Sequence, residues 1–322
     1  MTTLVTGAAG FIGYHVSRHL LERGDRVVGI DDLNPYYDVG LKTARLEGLR
    51  RYDTFAFNRG DIAEEGVLRD ATRDEHITHV VHLAAQAGVR HSIDNPHVYA
   101  RSNVVGHLQV LEYCRHNASL QHLVYASSSS VYGGNTKVPF SEDDRVDTPV
   151  SLYAATKRAD ELMSASYAHL YGFRQTGIRF FTVYGPLGRP DMAYWLFTEA
   201  MRRGAPIRLF DAGRGKRDFT YIDDAVKGVL SIHDSPRDAS RPAHAIYNIG
   251  NNRPEPVGKM VSTLESLLGV KAKIEELPAQ PGDMAYTAAD IDAIQRDFSF
   301  SPDTPLETGL EAFVSWYRDF CG

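Results

Sequence analysis

Short apolar runs alternate with longer amphipathic stretches over the first 184 residues of the chain. The short runs are rich in β-branched residues, which is typical of strands buried on both faces, whereas the stretches between them have apolar positions at helical spacing. This alternation predicts parallel strands joined by helices. The expected strands are Thr3–Thr6, Arg26–Asp31, Thr54–Asn58, His79–Leu83, His122–Ala126 and Thr176–Phe181, and the clearest helices are Phe11–Arg23, His97–Arg115 and Leu152–Tyr171.

The alternation stops after Tyr184, where a loop rich in glycine and proline begins. Residues 218–254 again contain a helical stretch and a strand-like run, which we expect to rejoin the sheet. The predicted fold class is therefore α/β, a Rossmann-type doubly wound parallel sheet built from 1–184 plus about 218–254. A smaller, discontinuous lobe is expected from about 185–217 plus 255–322.

Three glycines spaced three residues apart follow the first strand and precede the first helix. This arrangement is typical of a turn that holds a pyrophosphate over a helix N-terminus. Acidic residues end the second strand, where a carboxylate can accept hydrogen bonds from a ribose, so NAD is favoured over NADP. Further cofactor contacts are expected after the third and fourth strands. The cofactor-binding residues predicted in this way are Gly7, Gly10, Phe11, Ile12, Gly13, Asp31, Asp32, Asp61, Ile62, Leu83, Ala84 and Ala85.

A tyrosine and a lysine, Tyr153 and Lys157, stand four residues apart near the start of a predicted helix. That spacing places both side chains on one helix face, and the nearby ammonium favours the phenolate that proton abstraction requires. Four serines (127–130) follow the fifth predicted strand, at the sheet edge where α/β folds bind ligands. Strand-end serines are also common turn formers, and the sequence does not determine which of them shares the proton.

Composition excludes several other classes of function. The chain has 322 residues, 43% of them hydrophobic, and a formal net charge of −6, which argues against binding nucleic acid. Cys114 and Cys321 lie far apart and indicate a reducing compartment. No apolar stretch has transmembrane length, and the first strand begins at once, so a cytoplasmic protein is expected. His15 and His19 have helical metal-ligand spacing but lack a carboxylate partner, so no metal is predicted.

Taken together, these motifs resemble the extended short-chain dehydrogenase/reductase family, specifically its NAD-dependent nucleotide-sugar epimerases and dehydratases. The resemblance spans almost the whole chain, from the glycine motif through the segment at 82–90, the serine cluster with Tyr153 and Lys157, and residues 217–224. It implies a Rossmann domain with bound NAD, a lobe that binds a nucleotide-sugar, and a homodimer formed through helices near 97–115 and 152–171. Positions 128–130 are all serine and include no acid to expel water, so dehydration is disfavoured.

Three segments, at 34–42, 90–96 and 184–192, resemble the UDP-glucuronate 4-epimerase branch of the family. That resemblance implies reversible C4 epimerisation through a 4-keto sugar. The implied catalytic residues are Ser128, Tyr153 and Lys157. The implied contacts to the UDP-sugar are Ser129, Ser130, Thr182, Arg189, Arg217, Arg90 and Asp283.

Other functions remain open from the sequence. A UDP-glucuronate decarboxylase would carry out the same oxidation and release carbon dioxide. A 4-epimerase of UDP-glucose or UDP-N-acetylglucosamine would share the same base but would not need to hold a carboxylate. A non-catalytic NAD sensor is disfavoured, because a protein that only binds the dinucleotide has no use for an activated phenol.

Overall fold

The computed structural model describes residues 1–236, 238, 240–278 and 286–321. The strands, in chain order, are β1 (Thr2–Thr6), β2 (Arg26–Asp31), β3 (Phe55–Arg59), β4 (His79–His82), β5 (His122–Ser128), β6 (Gln175–Phe180), β7 (Thr182–Tyr184), β8 (Pro206–Phe210), β9 (Lys216–Arg217), β10 (Phe219–Tyr221), β11 (His244–Ile249), β12 (Glu255–Pro256) and β13 (Lys273–Leu277).

The helices are α1 (Phe11–Glu22), α2 (Val39–Leu49), α3 (Val67–Ala71), α4 (His91–Asp94), α5 (Pro96–Tyr99), α6 (Gly106–His116), α7 (Leu152–Tyr171), α8 (Ala193–Arg202), α9 (Ile222–His233), α10 (Val257–Leu268), α11 (Asp292–Phe298) and α12 (Leu306–Cys321). A π-helical segment, Ala100–Val105, joins α5 to α6. None of the helices in the described parts of the chain is long and apolar enough to cross a membrane.

Seven strands form one sheet in the order β11-β6-β5-β4-β1-β2-β3, and every neighbouring pair is parallel. Helices α1, α2 and α9 pack on one another at one face, and α3, α6 and α7 pack at the other. The order reverses between β1 and β4, which in open α/β sheets opens a ligand crevice at the carboxyl ends of the strands. The predicted Rossmann-type fold is confirmed, including the return of residues 244–249 to the sheet edge.

A second apolar cluster lies outside this sheet. It contains buried side chains from α8, α10 and α12, including Trp195, Leu264 and Phe313. The short parallel pair β8–β13 and the antiparallel pair β9–β12 adjoin it. The sequence analysis expected a smaller lobe here without placing helices after residue 255, and the structure contains two amphipathic helices there, α10 and α12.

Local signals explain where the helices that carry the candidate site begin and end. The Ser151 Oγ accepts a hydrogen bond from the Ala154 N–H at 3.1 Å and caps α7, and Gly172 ends that helix in the left-handed region at φ 70°. The predicted helix 97–115 is interrupted, because the chain widens into the π-helical segment around Asn103. The buried Asn103 amide accepts a hydrogen bond from the Gln86 N–H and donates to the Gln86 carbonyl and to the Thr156 hydroxyl. The spacing of apolar residues does not reveal these hydrogen bonds, so it could not predict the interruption.

Candidate active site

A cleft of about 1320 Å³ opens at the carboxyl ends of the sheet strands and extends toward the second apolar cluster. All of the site residues predicted from the sequence that the structure describes line this cleft. Asp283 is the exception, because it lies outside the described residues. Predicted residues separated by as many as 210 positions in sequence, Gly7 and Arg217, are therefore brought to one place.

The glycine-rich turn forms the floor of the cleft. Gly7 has a positive φ of 73°, and a Cβ at this position would approach the Ala84 backbone nitrogen to within 2.7 Å. Gly10 is the N-cap of α1 and supplies no side-chain hydrogen bond to the first turn of the helix. The N-terminal end of α1, which lines the cleft, is therefore available to an anion such as a dinucleotide pyrophosphate.

Asp31 ends β2 beside this turn and is 6% exposed. Its carboxylate accepts hydrogen bonds from the Ala9 N–H (3.1 Å) and the Leu33 N–H (2.9 Å), and the Lys42 ammonium lies 3.7 Å away. Burial raises the pKa of Asp31, and Lys42 opposes that rise. A carboxylate oriented in this way fits the ribose of NAD, and the residues present therefore fit this cofactor.

The four serines at the end of β5 and just after it, Ser127 to Ser130, divide into two groups. The Ser127 Oγ donates a 2.6 Å hydrogen bond to the buried carboxylate of Glu161 and is thereby tied to the protein interior. The Ser128 Oγ accepts from the Ser130 N–H (3.2 Å) and donates to the Ser130 Oγ (3.1 Å). Ser128 ends β5 and caps the short 3₁₀ turn that begins with Ser129 and Ser130, and all three serines line the cleft, where their hydroxyls can meet a ligand.

Tyr153 and Lys157 both face the cleft from the first turns of α7, as their spacing predicts. The Lys157 ammonium is 2% exposed and is fixed by the Ala126 carbonyl (3.0 Å) and by Asp160 (3.1 Å). Burial raises the pKa of Asp160 to about 6, against the effect of Lys157. These contacts fix the lysine one helical turn after Tyr153, and both residues line the cleft, where the Tyr153 hydroxyl can meet a sugar hydroxyl.

Arg189 lies across the cleft in the loop before α8. Its guanidinium forms a bidentate pair with Asp191 at 3.0 and 2.5 Å, and Asp191 also accepts a 3.1 Å hydrogen bond from Tyr36. Burial opposes ionisation of Asp191, but Arg189 outweighs it and lowers the pKa of the carboxyl. The arginine is therefore a fixed, partly buried group and not a mobile surface side chain.

The remaining predicted sugar-nucleotide contacts lie along the walls of the cleft. Thr182 begins β7 next to the end of β6, Arg217 lies on β9, and Arg90 stacks over the ring of Phe210 at 5.1 Å. A cleft lined by basic residues near the second apolar cluster suits a diphosphate. His15, considered above as a metal ligand, instead lies 3.0 Å from the Pro186 carbonyl through its Nε2.

Several lining residues were missed as site residues by the sequence analysis. They are Tyr36, Lys42, Gln86 and Asp191. Tyr36, Lys42 and Asp191 fall within segments already noted for their resemblance to UDP-glucuronate 4-epimerases. The sequence therefore marked each of these segments as part of the site. It did not mark the individual residues, because neither their spacing nor their type distinguishes them from their neighbours.

A protein family, several protein sequences and several solved structures are similar to this chain. The NAD dependent epimerase/dehydratase family matches residues 3–250. An uncharacterised 37.6 kDa protein of Escherichia coli O111:H- is 51% identical, with 99% of each chain covered. UDP-glucuronate 4-epimerase 2 of Arabidopsis thaliana is 48% identical, with 99% of this chain and 76% of that protein covered.

A solved structure gives the same result at the level of the fold. The UDP-glucuronic acid 4-epimerase from Bacillus cereus, in complex with UDP-glucuronic acid and NAD, matches with a TM-score of 0.92 at 34% identity, covering 99% of this chain and 100% of that one. The family match covers more than half of the chain and agrees with the glycine turn, the acidic strand end and the Tyr153–Lys157 pair. The chain therefore belongs to the NAD-dependent epimerase/dehydratase family.

Proposed function

We propose that this protein interconverts UDP-glucuronic acid and UDP-galacturonic acid by inverting C4 of the sugar with NAD bound. The observation that carries the proposal is the convergence, in one cleft, of the Tyr153–Lys157 pair, the hydroxyls of Ser128, Ser129 and Ser130, and the fixed Arg189. The Arabidopsis thaliana and Bacillus cereus relatives bear the name of the same activity.

Proton transfer is assigned to Tyr153. Its phenolate removes the proton of the C4 hydroxyl, with the Ser128 hydroxyl hydrogen-bonded to the same oxygen, and Lys157 stabilises the phenolate electrostatically. Bound NAD supplies the redox chemistry, taking a hydride from C4 and returning it to the opposite face of the 4-keto sugar. Tyr153 then returns the proton to the new hydroxyl, so the cycle is redox-neutral.

Inversion requires the keto sugar to turn over within the cleft while the nucleotide stays bound. Arg217 is assigned to the diphosphate, where its planar guanidinium suits bidentate contact. The residues around the second apolar cluster, about 185–217 and 255–322, form the lobe that holds the nucleotide. Because the diphosphate stays fixed, the sugar ring can present first one face and then the other to the bound NAD.

The intermediate carries a hazard specific to a uronic acid. A 4-keto sugar with a C6 carboxylate is a β-keto acid, which loses carbon dioxide when the bond to the carboxyl carbon aligns with the carbonyl π system. Hydroxyls of Ser129, Ser130 and Thr182 hold the carboxylate out of that alignment by directional hydrogen bonds. Arg189 lines the same cleft from the loop before α8.

The test is incubation of the purified protein with UDP-glucuronic acid, with products followed by proton NMR and released carbon dioxide trapped and counted. We expect UDP-galacturonic acid to accumulate without loss of carbon. Formation of UDP-xylose or a 4-keto pentose would instead establish a decarboxylase. Conversion of UDP-glucose or UDP-N-acetylglucosamine, with UDP-glucuronic acid untouched, would refute the assignment to the carboxylate-bearing sugar.

The assembly state proposed is a homodimer formed by the outer faces of α6 and α7. Leu108 on α6, Leu162 and Leu170 on α7, and Val105 just before α6 are 37–62% exposed, and apolar side chains clustered on adjacent helices suit burial against a second copy of the chain. Light scattering should give the dimer mass, and Leu162→Glu should give the monomer mass. A wild-type protein that is monomeric at micromolar concentration would contradict the proposal.

A further inference from the structure

The loop that carries Arg189 is held from beneath by two buried side chains of the sheet domain. The His15 Nε2 lies 3.0 Å from the Pro186 carbonyl. The guanidinium of Arg45, on α2, donates to the next two carbonyls, those of Leu187 (2.7 and 3.0 Å) and Gly188 (2.9 Å). Burial lowers the pKa of His15 to about 3, so a neutral imidazole is the donor. Three consecutive carbonyls are thus fixed.

Arg45 also reaches the glycine-rich turn. It donates to the Ala9 carbonyl at 2.9 Å and to the Tyr37 hydroxyl at 2.7 Å. These contacts, with those to the loop, give the five N–H groups of the guanidinium five hydrogen bonds. Arg45 is fully buried and forms no ion pair among the residues that the structure describes, although a buried cation without a carboxylate partner is costly.

The loop held by Arg45 has an unfavourable conformation. Leu187 has a φ of 54°, in the left-handed region that residues with a Cβ rarely occupy. A Cβ on Gly188 would lie only 1.8 Å from the Tyr194 hydroxyl oxygen. A strained backbone of this kind persists only where several neighbouring contacts hold it in place. On the side of the loop that faces the glycine-rich turn, those contacts are the hydrogen bonds from Arg45. Arg189 follows directly.

We propose that Arg45 is a positioning residue that fastens the Arg189 loop to the glycine-rich turn and so keeps the cleft wall in place while the keto sugar turns over. This inference rests on the proposed function. When the wall relaxes, the carboxylate reaches the alignment that breaks the C5–C6 bond. Carbon dioxide leaves, the electron pair forms an enolate with the C4 carbonyl, and a proton from water at C5 gives the 4-keto pentose.

The test compares Arg45→Met with Arg50→Met, which removes an exposed guanidinium from the residue after the same helix. For Arg45→Met we expect the ratio of decarboxylated to epimerised product to rise about tenfold or more, since small misplacements of positioning groups have effects of this size. Backbone amide hydrogen exchange in 185–192 should accelerate while β5 and β6 keep their protection. Arg50→Met should match the wild type in both measurements.

Arg45→Lys provides a second variant in case the methionine variant does not fold. It retains the charge but lacks the five-donor geometry, so we expect a smaller change in the same direction. A wild-type product ratio and wild-type exchange in a folded Arg45 variant would overturn the proposal. If the wild type itself forms no UDP-galacturonic acid, the proposed function fails, whereas the exchange measurement still tests the link between Arg45 and the loop.

Discussion

Replacing Tyr153 with phenylalanine is expected to lower kcat by about 10²- to 10⁴-fold, the range that positioned acid–base groups contribute. The substitution removes only the hydroxyl oxygen, so no base remains at the C4 hydroxyl and no acid remains to return the proton. Lys157 keeps its contacts with the Ala126 carbonyl and Asp160, and the glycine turn and Asp31 are untouched. NAD content should therefore stay at the wild-type value.

The measurement pairs turnover of UDP-glucuronic acid with NAD content after denaturation and with the thermal unfolding midpoint. Tyr171→Phe is the matched control, because Tyr171 ends the same helix, is 47% exposed and accepts a hydrogen bond from the exposed Arg115 at its hydroxyl. Its kcat should equal that of the wild type. If Tyr153→Phe turns over within tenfold of the wild type, Tyr153 is not the group that transfers the proton. If the variant loses NAD, the tyrosine contributes to cofactor binding.

Much of the fold follows from the sequence because the signals involved are local. A buried parallel strand needs an apolar run, and a helix covering it needs apolar positions at helical spacing. Helix α7 was therefore predicted with its exact bounds, since Ser151 and Gly172 mark both ends. The cleft was located by the same reasoning, because residues at the carboxyl ends of parallel strands meet at one edge of the sheet.

The parts that escaped prediction depend on contacts between distant segments. Arg45 lies on α2, a helix for which the sequence pattern gave no bounds, and its partners Leu187 and Gly188 are more than 140 positions away. The π-helical segment exists because Asn103 turns inward to the backbone of Gln86. The hydrogen bonds of Arg45 and Asn103 do not affect the spacing of apolar residues along the chain. Only the folded structure shows that these polar side chains are buried and that their hydrogen bonds are made.

A buried ion pair lies directly beneath the serine cluster. The Glu161 carboxylate on α7 accepts two hydrogen bonds from Arg179 on β6 (2.8 and 2.9 Å), one from Ser127 (2.6 Å) and one from Arg158 (3.0 Å). Burial opposes its ionisation, but these donors, Arg179 first, outweigh burial and lower the pKa of Glu161. The pair joins the helix that carries Tyr153 to β6, and the Ser127 hydrogen bond joins the same carboxylate to β5, the strand that ends in the serines.

Glu161→Gln is therefore expected to lower the free energy of unfolding by about 3–5 kcal/mol, the cost of leaving a buried charge without its partner. Arg179 is 2% exposed and cannot reach water in place of the carboxylate. Urea denaturation with an unchanged m-value measures the loss. Glu112→Gln removes a carboxylate from a partly exposed pair with Arg115 and should cost at most about 1 kcal/mol. Equal losses in the two variants would mean that the buried pair is no more stabilising than a surface one, and that α7 is fixed to the sheet mainly by its apolar contacts.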